Sequence, residues 1–313
     1  MRLRTSHRGT SVTVAATRLA RDGEVPSFVR RHINAVGALM SIDPAHLRYR
    51  EFEHAAWERA AANYADSFET VTALFARPLL DAVGCDAGLQ VLDVACGSGF
   101  ISSLAASIGA APTGVDFSAG MVAQSREQYP LISFAEADAE NLPFPDGSFD
   151  RVVIGFGVHH FPNPHLAIAE AHRVLRTGGR LAFTVWSATD HALQQLLTDA
   201  IRQGGVAGSS LPVPPQGDIN EVQSCLSLLR GAGFGLGNTS AQKLEKLVVV
   251  ESAAKLIELM LKGTARSSAL IRAQPPDVLP SVIAALDAAL QTYKEGTVFN
   301  VPAVAILAVG TRS

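Results

Sequence analysis

The sequence predicts an α/β protein of the Rossmann-like, doubly wound kind, and three observations predict it. From Leu89 to Trp186 short apolar runs alternate with helical stretches, and each crossover must bring the chain back in the same direction, which builds a parallel sheet covered on both faces. The first apolar run ends in Gly97-Ser98-Gly99 and passes directly into a helical stretch, the strand–turn–helix that anchors ligands in such sheets. Later segments, from Ser187 to Asp218 and from Ser252 to Tyr293, break the alternation and read as a small helical cap.

In chain order, residues 1–42 form a basic leader. Met1 to Met40 carries seven Arg, no Lys and only Asp22 and Glu24 as acids, without the apolar stretch of a secretion signal, and it is expected to be poorly ordered. Residues 43–88 read as N-terminal helices, because Trp57, Ala61, Tyr64 and Phe68 recur at three- and four-residue steps. Residues 89–187 form the core. Its strands are expected at Leu89–Ala95, Thr113–Asp116, Ile132–Ala137, Arg151–Phe156 and Arg180–Trp186. Ser118 caps one intervening helix, and Asn163-Pro164 opens another that is expected to close near Arg173, Arg176 and Gly178-Gly179. Residues 188–218 are read as a cap insertion, 219–250 as a return to the core, 251–296 as a helical cap and 297–313 as the terminal strand, with Val301–Val309 at its centre.

Composition removes several function classes. With 48% hydrophobic and 18% charged residues in 313, the chain can bury a large core and is not disordered. A net charge of −3 leaves no global positive field to gather nucleic acid. Cys85, Cys96 and Cys225 are too few and scattered for a disulfide framework or a metal site, so reduced thiols in a cytoplasmic protein are expected, with no bound metal. The longest apolar run is short and contains Pro302, so no membrane span is expected.

The ligand chemistry is read from the glycine turn outward. Gly97 and Gly99 allow close backbone approach, and the helix that follows offers unpaired amides to an anionic group. Asp93, four residues before Gly97, is unsuited to a pyrophosphate and suits a ligand carrying a cation beside the turn, as the ammonium and sulfonium of S-adenosylmethionine do. Asp116, ending the second strand, is placed to accept from two ribose hydroxyls. Asp138 with Ala139 offers a carboxylate and an amide to an adenine edge, and Met121 is soft enough to pack on its face.

The run Val91-Leu92-Asp93-Val94-Ala95-Cys96-Gly97-Ser98-Gly99, together with Asp116, Asp138-Ala139, Leu142-Pro143-Phe144-Pro145 and Val174-Leu175-Arg176-Thr177-Gly178-Gly179-Arg180, resembles the class I S-adenosylmethionine-dependent methyltransferases of the ubiquinone/menaquinone-biosynthesis type. The likeness covers roughly residues 50–187. It implies a seven-stranded, mainly parallel sheet with an antiparallel last strand, S-adenosylmethionine as cofactor, and Tyr64 closing over the methionine end. Ala95 stands where the family has the first glycine of the turn, and Ala95 and Phe156 complete the implied cofactor-binding set.

His159 and His160 follow the fourth strand at the sheet end where an acceptor would lie, so either is a candidate general base. Trp186 and the Leu211–Pro215 loop are candidate walls of an acceptor pocket, while Cys96 is expected to serve packing. The expected activity is methyl transfer to the O or C of a small, largely apolar acceptor. The alternatives are a protein that binds S-adenosylmethionine or S-adenosylhomocysteine with lost or altered transfer, and a nicotinamide-dependent oxidoreductase. Asp93, and Ser102 where a third glycine would sit, oppose the last.

Overall fold

The computed structural model describes residues 43–206 and 211–313. The chain divides into two units, Met1–Leu47 and Arg48–Ser313. Of the first, only 43–47 are described, at the opening of helix α1 (Pro44–Tyr64). The basic leader read over residues 1–42 lies outside the described residues.

Eight strands form one sheet: β1 (Gln90–Val94), β2 (Ala111–Asp116), β3 (Ser133–Glu136), β4 (Phe149–Gly155), β5 (Leu175–Trp186), β6 (Thr239–Val250), β7 (Lys294–Glu295) and β8 (Val298–Thr311). Their order is β3-β2-β1-β4-β5-β8-β6, with β7 paired to β8. The first five are parallel, and β8 runs antiparallel to both β5 and β6. The expected seven-strand path with a reversed last strand is therefore present, and the strand count is corrected to eight by β7. That strand is a two-residue hairpin arm, Lys294 opposite Phe299 and Glu295 opposite Val298, turned at Gly296 with φ +64°.

Alternation along β1 decides which residues meet which helix. Val91 packs on one face with Leu79, Leu80 and Val83 of α3 (Ala76–Val83) and Ala105 of α4 (Phe100–Ser107). Leu92 and Val94 pack on the opposite face with Ile168 and Val174 of α6 (Pro164–Val174) and Leu228 of α8 (Val222–Gly231). Asp93 shares the parity of Val91 and so lies on the α4 side. Strand order reverses between β1 and β4, which opens a crevice beyond their carboxyl ends.

The expected caps are in place. Ser118 Oγ accepts from the Met121 amide at 3.1 Å at the start of α5 (Ala119–Gln128), and Asn163 Oδ1 accepts from the Leu166 amide at 3.2 Å ahead of Pro164. One boundary differs. Helix α6 ends at Val174, and Leu175–Gly179 becomes the start of β5, with a register shift between Phe149 and Arg151 of β4. Gly178 donates its amide to the Arg312 carbonyl at 2.8 Å, so pairing with the chain's end, not a helix cap, uses these glycines.

Four further helices, α7 (Ala192–Gly204), α9 (Ala253–Gly263), α10 (Arg266–Arg272) and α11 (Leu279–Leu290), bury Leu193, Leu256, Ile271 and Leu286 respectively in one cluster. Phe68, Phe75 and Phe156 join that cluster from the N-terminal segment and from the end of β4. Pro302 is tolerated inside β8 because β5 reaches only as far as Ala305, leaving that part of β8 paired to β6 and β7.

Candidate active site

A cavity of about 420 Å³ lies at the carboxyl ends of β1, β2, β4 and β5, the size of a pocket for a small organic ligand. Its floor is the glycine turn. Gly97 and Gly99 adopt φ +55° and +90°, and α4 starts behind them with a glycine at its N-cap that supplies no side-chain cap. The Ser102 amide turns to Asp93, while Phe100 and Ile101, which line the cavity, leave their amides and the positive end of α4 to meet a carboxylate. Tyr64 of α1 lies over the turn: a Cβ on Gly97 would sit 3.5 Å from Tyr64 Cε1. The Tyr64 hydroxyl shares a hydrogen bond with Thr72 Oγ1 at 3.1 Å, and its ring meets Trp57 edge to face.

Two backbone positions on this floor are strained. Ala95 has φ +57° and Phe156 φ +58°, a region that costs a residue with a Cβ roughly 1–2 kcal/mol. They end adjacent strands β1 and β4, and both line the cavity. The left-handed turn at Ala95 explains why the family places glycine there; the methyl group is accommodated because its neighbour is Gly157, whose own Cβ would come within 2.7 Å of it.

Asp116 lines the cavity from the end of β2, with Oδ2 accepting from the Gly97 amide at 2.9 Å and Oδ1 from the Ser118 amide at 3.0 Å. Burial raises its pKa, and the amides of Ser118, Gly97 and Phe117 work against that rise. Asp138 and Ala139 line it beyond β3, and Met121 forms part of the wall with Ala61 and Tyr64 behind it. Asp138 accepts from the Glu140 amide at 2.9 Å and is paired with Arg50 of α1, whose second nitrogen reaches Glu140 Oε2 at 2.8 Å.

Asp93 departs from expectation. No part of it lines the cavity; it is fully buried on the α4 side of β1, where Oδ2 accepts from Ser102 Oγ at 2.7 Å and Oδ1 has no hydrogen-bond partner. The strand's alternation sends the side chain under α4 instead of past the turn. Burial raises its pKa to about 7, offset in part by the Ser102 hydroxyl and amide and reinforced by the charge of Asp116. The carboxylate that does reach the cavity beside the turn is Glu69 of the short helix α2 (Glu69–Thr72), which accepts from Ser98 Oγ. Burial and then Asp66 raise the Glu69 pKa to about 7.

The cavity also carries a stack of rings. Phe156 stacks on Trp186 with centroids 4.0 Å apart, and Trp186 stacks on His191 at 4.1 Å and 10°. His191 is buried with its Nδ1 unpartnered, and burial lowers its pKa to about 4. His159 and His160 both line the cavity, in a single 3-10 turn after β4. His159 is held well below the usual imidazole range by burial and then by His160, His191 and Arg266. His160 Nδ1 lies 2.8 Å from Glu53 Oε2. Trp186 lines the cavity as expected, whereas the Leu211–Pro215 loop does not. The Pro212 carbonyl instead accepts from Arg266, which does line it. Cys96 lies in the turn and is buried against Val122 and Phe134, as packing predicts, although it also borders the cavity.

The sequence reading missed Arg50, Glu53, Glu69, His191 and Arg266. Arg50, Glu53 and Trp57 continue backward the helical spacing that Trp57, Ala61 and Tyr64 begin, so that stripe carried the signal for the first two. Nothing in the local pattern marks the others, which are brought in by tertiary packing.

Residues 92–183 match a family model described as a methyltransferase domain. Over 165 residues the chain is 30% identical to a demethylmenaquinone methyltransferase of Streptomyces griseus, covering 50% of this chain and 72% of the relative. The chain belongs to the class I S-adenosylmethionine-dependent methyltransferases of the menaquinone/ubiquinone type. Within that methyltransferase family it is also 42% identical over 114 residues to a demethylmenaquinone methyltransferase of Beutenbergia cavernae, covering 36% of this chain and 48% of the relative. The chain thus spans about half the length of that curated relative. The crystal structure of the YcgJ protein of Bacillus subtilis shares the fold, with a TM-score of 0.50 and 21% identity over 78% of this chain and 98% of that one. No helix among the described residues is long and apolar enough to cross a membrane.

Proposed function

We propose that the protein transfers a methyl group from S-adenosylmethionine to an oxygen or carbon of a small, largely apolar ring acceptor. One observation carries the reading: Gly97 of the glycine turn, Asp116 and Asp138 line the same cavity as the stacked rings of Phe156, Trp186 and His191. Uncapped amides of α4 suit the ligand's carboxylate, Asp116 its ribose, and Asp138 with Ala139 its adenine, with Met121 against the ring. Glu69, in the place the sequence reading gave to Asp93, suits its ammonium and sulfonium. Tyr64 covers the methionine end, Ala95, Gly97 and Phe156 line the floor, and Gly99, which does not line it, lets the chain turn into α4 against Phe134.

Bound S-adenosylmethionine supplies an electrophilic methyl group on a positively charged sulfur. The protein's own work is alignment, exclusion of water by the aromatic wall, and removal of an acceptor proton by His159 or His160. A hydroquinone ring fits the flat walls, and the named relatives act, by their names, on demethylmenaquinone.

Two experiments test the reading. Titration calorimetry with S-adenosylhomocysteine is expected to show a single site. Incubation with labelled S-adenosylmethionine and 1,4-dihydroxynaphthalene is expected to give a product heavier by one methyl group. Absence of homocysteine-adduct binding refutes the cofactor assignment, and binding without transfer to any ring acceptor refutes the reaction.

A further inference from the structure

We infer that His160, oriented by Glu53, is the general base of the site, so that the acceptor enters with an ionisable hydroxyl proton. The inference rests on the methyl-transfer reading above and separates the two histidines which that reading leaves equivalent.

Glu53 is a carboxylate with no exposed surface, carried on α1. Burying such a group costs several kcal/mol unless it is paired, and its pairing here is incomplete. Oε2 receives His160 Nδ1 at 2.8 Å and Trp57 Nε1 at 3.2 Å; the Tyr49 hydroxyl also lies beside the carboxylate but donates its proton to the His159 carbonyl, which leaves Oε1 without a donor. An ionised carboxylate can only accept, so it fixes the hydrogen on His160 Nδ1 and leaves the lone pair on Nε2. That nitrogen is the one left for the cavity that His160 lines. Trp57 also meets the His160 ring edge to face at 4.9 Å, which holds the ring plane. His159 has no such carboxylate: its Nδ1 is covered and unpartnered, and its backbone carbonyl accepts from the Tyr49 hydroxyl at 2.8 Å.

The under-satisfied Glu53 gains most when a positive charge appears on His160. In the step itself the acceptor's O–H bond breaks and its proton goes to Nε2. The electron pair released on the oxygen, or on a ring carbon conjugated to it, forms the new bond to the methyl carbon, and the pair of the broken sulfur–carbon bond remains on sulfur. For attack through carbon, the proton on that carbon returns to the oxygen by tautomerisation. The site begins with one positive charge on the donor and ends with one on His160, which sheds it to solvent. Glu53 is a positioning residue in this scheme; His160 is the group that touches the acceptor.

The charged and titratable groups facing this pair are few. Tyr49 and Glu53 come from α1 and His159 from the 3-10 turn; His191, Asp218 and Arg266 act on Tyr49 or His159 across the cavity. With 1,4-dihydroxynaphthalene as acceptor, His160→Gln is expected to lower kcat by roughly 10²–10³-fold with KM for either substrate within about threefold. Glu53→Gln keeps a hydrogen-bonding side chain but no charge. It is expected to lower kcat by about tenfold and to move the acid limb of the kcat–pH profile to lower pH, because the imidazolium loses its anion. A second readout needs no turnover: nitrogen NMR of the full chain bound to S-adenosylhomocysteine is expected to show neutral His160 with its proton on Nδ1. A proton on Nε2, or an unchanged plateau and limb in Glu53→Gln, overturns the inference. A wild-type protein that binds S-adenosylhomocysteine yet transfers no methyl group overturns the function instead, and the tautomer still judges the dyad.

Discussion

Replacing Asp93 by Asn separates a buttress beneath the turn from a ligand contact. In the folded protein Asp93 is fully buried, with one oxygen bonded to Ser102 and the other unpartnered, and its pKa stands near 7 against an ordinary 3.8. The folded state therefore holds a proton that the unfolded state releases over that interval. Stability from this group is complete below about pH 4 and is lost as pH rises through about 7. Each pH unit in the window removes at most ~1.4 kcal/mol, so the whole effect is about 4 kcal/mol, an upper figure for an unscreened buried group. Asn cannot ionise, so whatever constant offset the amide introduces, the stability of Asp93→Asn relative to wild type is expected to rise by about 2–4 kcal/mol between pH 4.5 and pH 8. In thermal melts that is a relative gain of roughly 3–6 °C for a chain of 313 residues. Urea unfolding at intervals across the range measures it directly. A difference that stays flat within about 0.5 kcal/mol refutes the assignment of a neutral, buried acid. The affinity for S-adenosylhomocysteine is expected to stay within about threefold of wild type at pH 5.5; a loss of thirtyfold or more would return Asp93 to the ligand.

Glu69→Gln is expected to do the reverse, weakening S-adenosylhomocysteine by about tenfold, since Glu69 lines the cavity beside the turn without a cationic side chain to pair it. Because its pKa stands near 7 before a cationic ligand draws it down, wild-type affinity should climb from pH 6 to pH 8 with proton release on binding, and calorimetry in buffers of different ionisation enthalpy reads that release. Gly157→Ala would bring a methyl group to 2.7 Å from Ala95 Cβ and 2.9 Å from Ile154 Cγ2, a cost of about 1–3 kcal/mol by denaturant unfolding. Ala95→Gly should be nearly neutral alone, as ~1–2 kcal/mol of relieved strain offsets a comparable loss of rigidity and contact. It should rescue at least ~0.5 kcal/mol of the Gly157→Ala cost, and simple additivity would contradict the contact. Arg50→Ala removes ion pairs to Asp138 and Glu140 from a side chain 41% exposed, so stability should fall by less than ~1 kcal/mol. A drop above about 2 kcal/mol would show that the pairing holds α1 in place.

What the sequence made legible was local. The strands from β1 to β5, their caps at Ser118 and Asn163, and the turn at Gly97 and Gly99 each declare themselves within a dozen residues, through alternation, capping side chains and glycine. The reversal of β8 came only from the family resemblance, because nothing in Val298–Thr311 encodes direction, and its place between β5 and β6 is visible only in the structure. Strand β7 was invisible for a simpler reason: two residues carry no periodicity. The end of α6 was misplaced because Gly178-Gly179 resembles a helix stop, whereas Arg312, far away in sequence, takes the Gly178 amide.

Asp93 shows the same limit at the level of one side chain. Its residue type and its spacing to Gly97 were read as chemistry, but its parity on β1 already put it on the face of Val91, under α4, whose third residue, Ser102, receives it. Parity is a local signal and outranks proximity to a motif, because a strand side chain can reach only the layer it faces. Glu69 and Glu53 take positions beside the turn and beside His160 for the opposite reason. Each lies on a helix N-terminal to the sheet, and its distance from Ser98 or His160 is set by how those helices dock over the strand ends. The chemistry of the cavity is thus assembled from two sources: strand ends, whose residues the sequence orders, and overlying helices, whose residues only packing can bring to the same ligand.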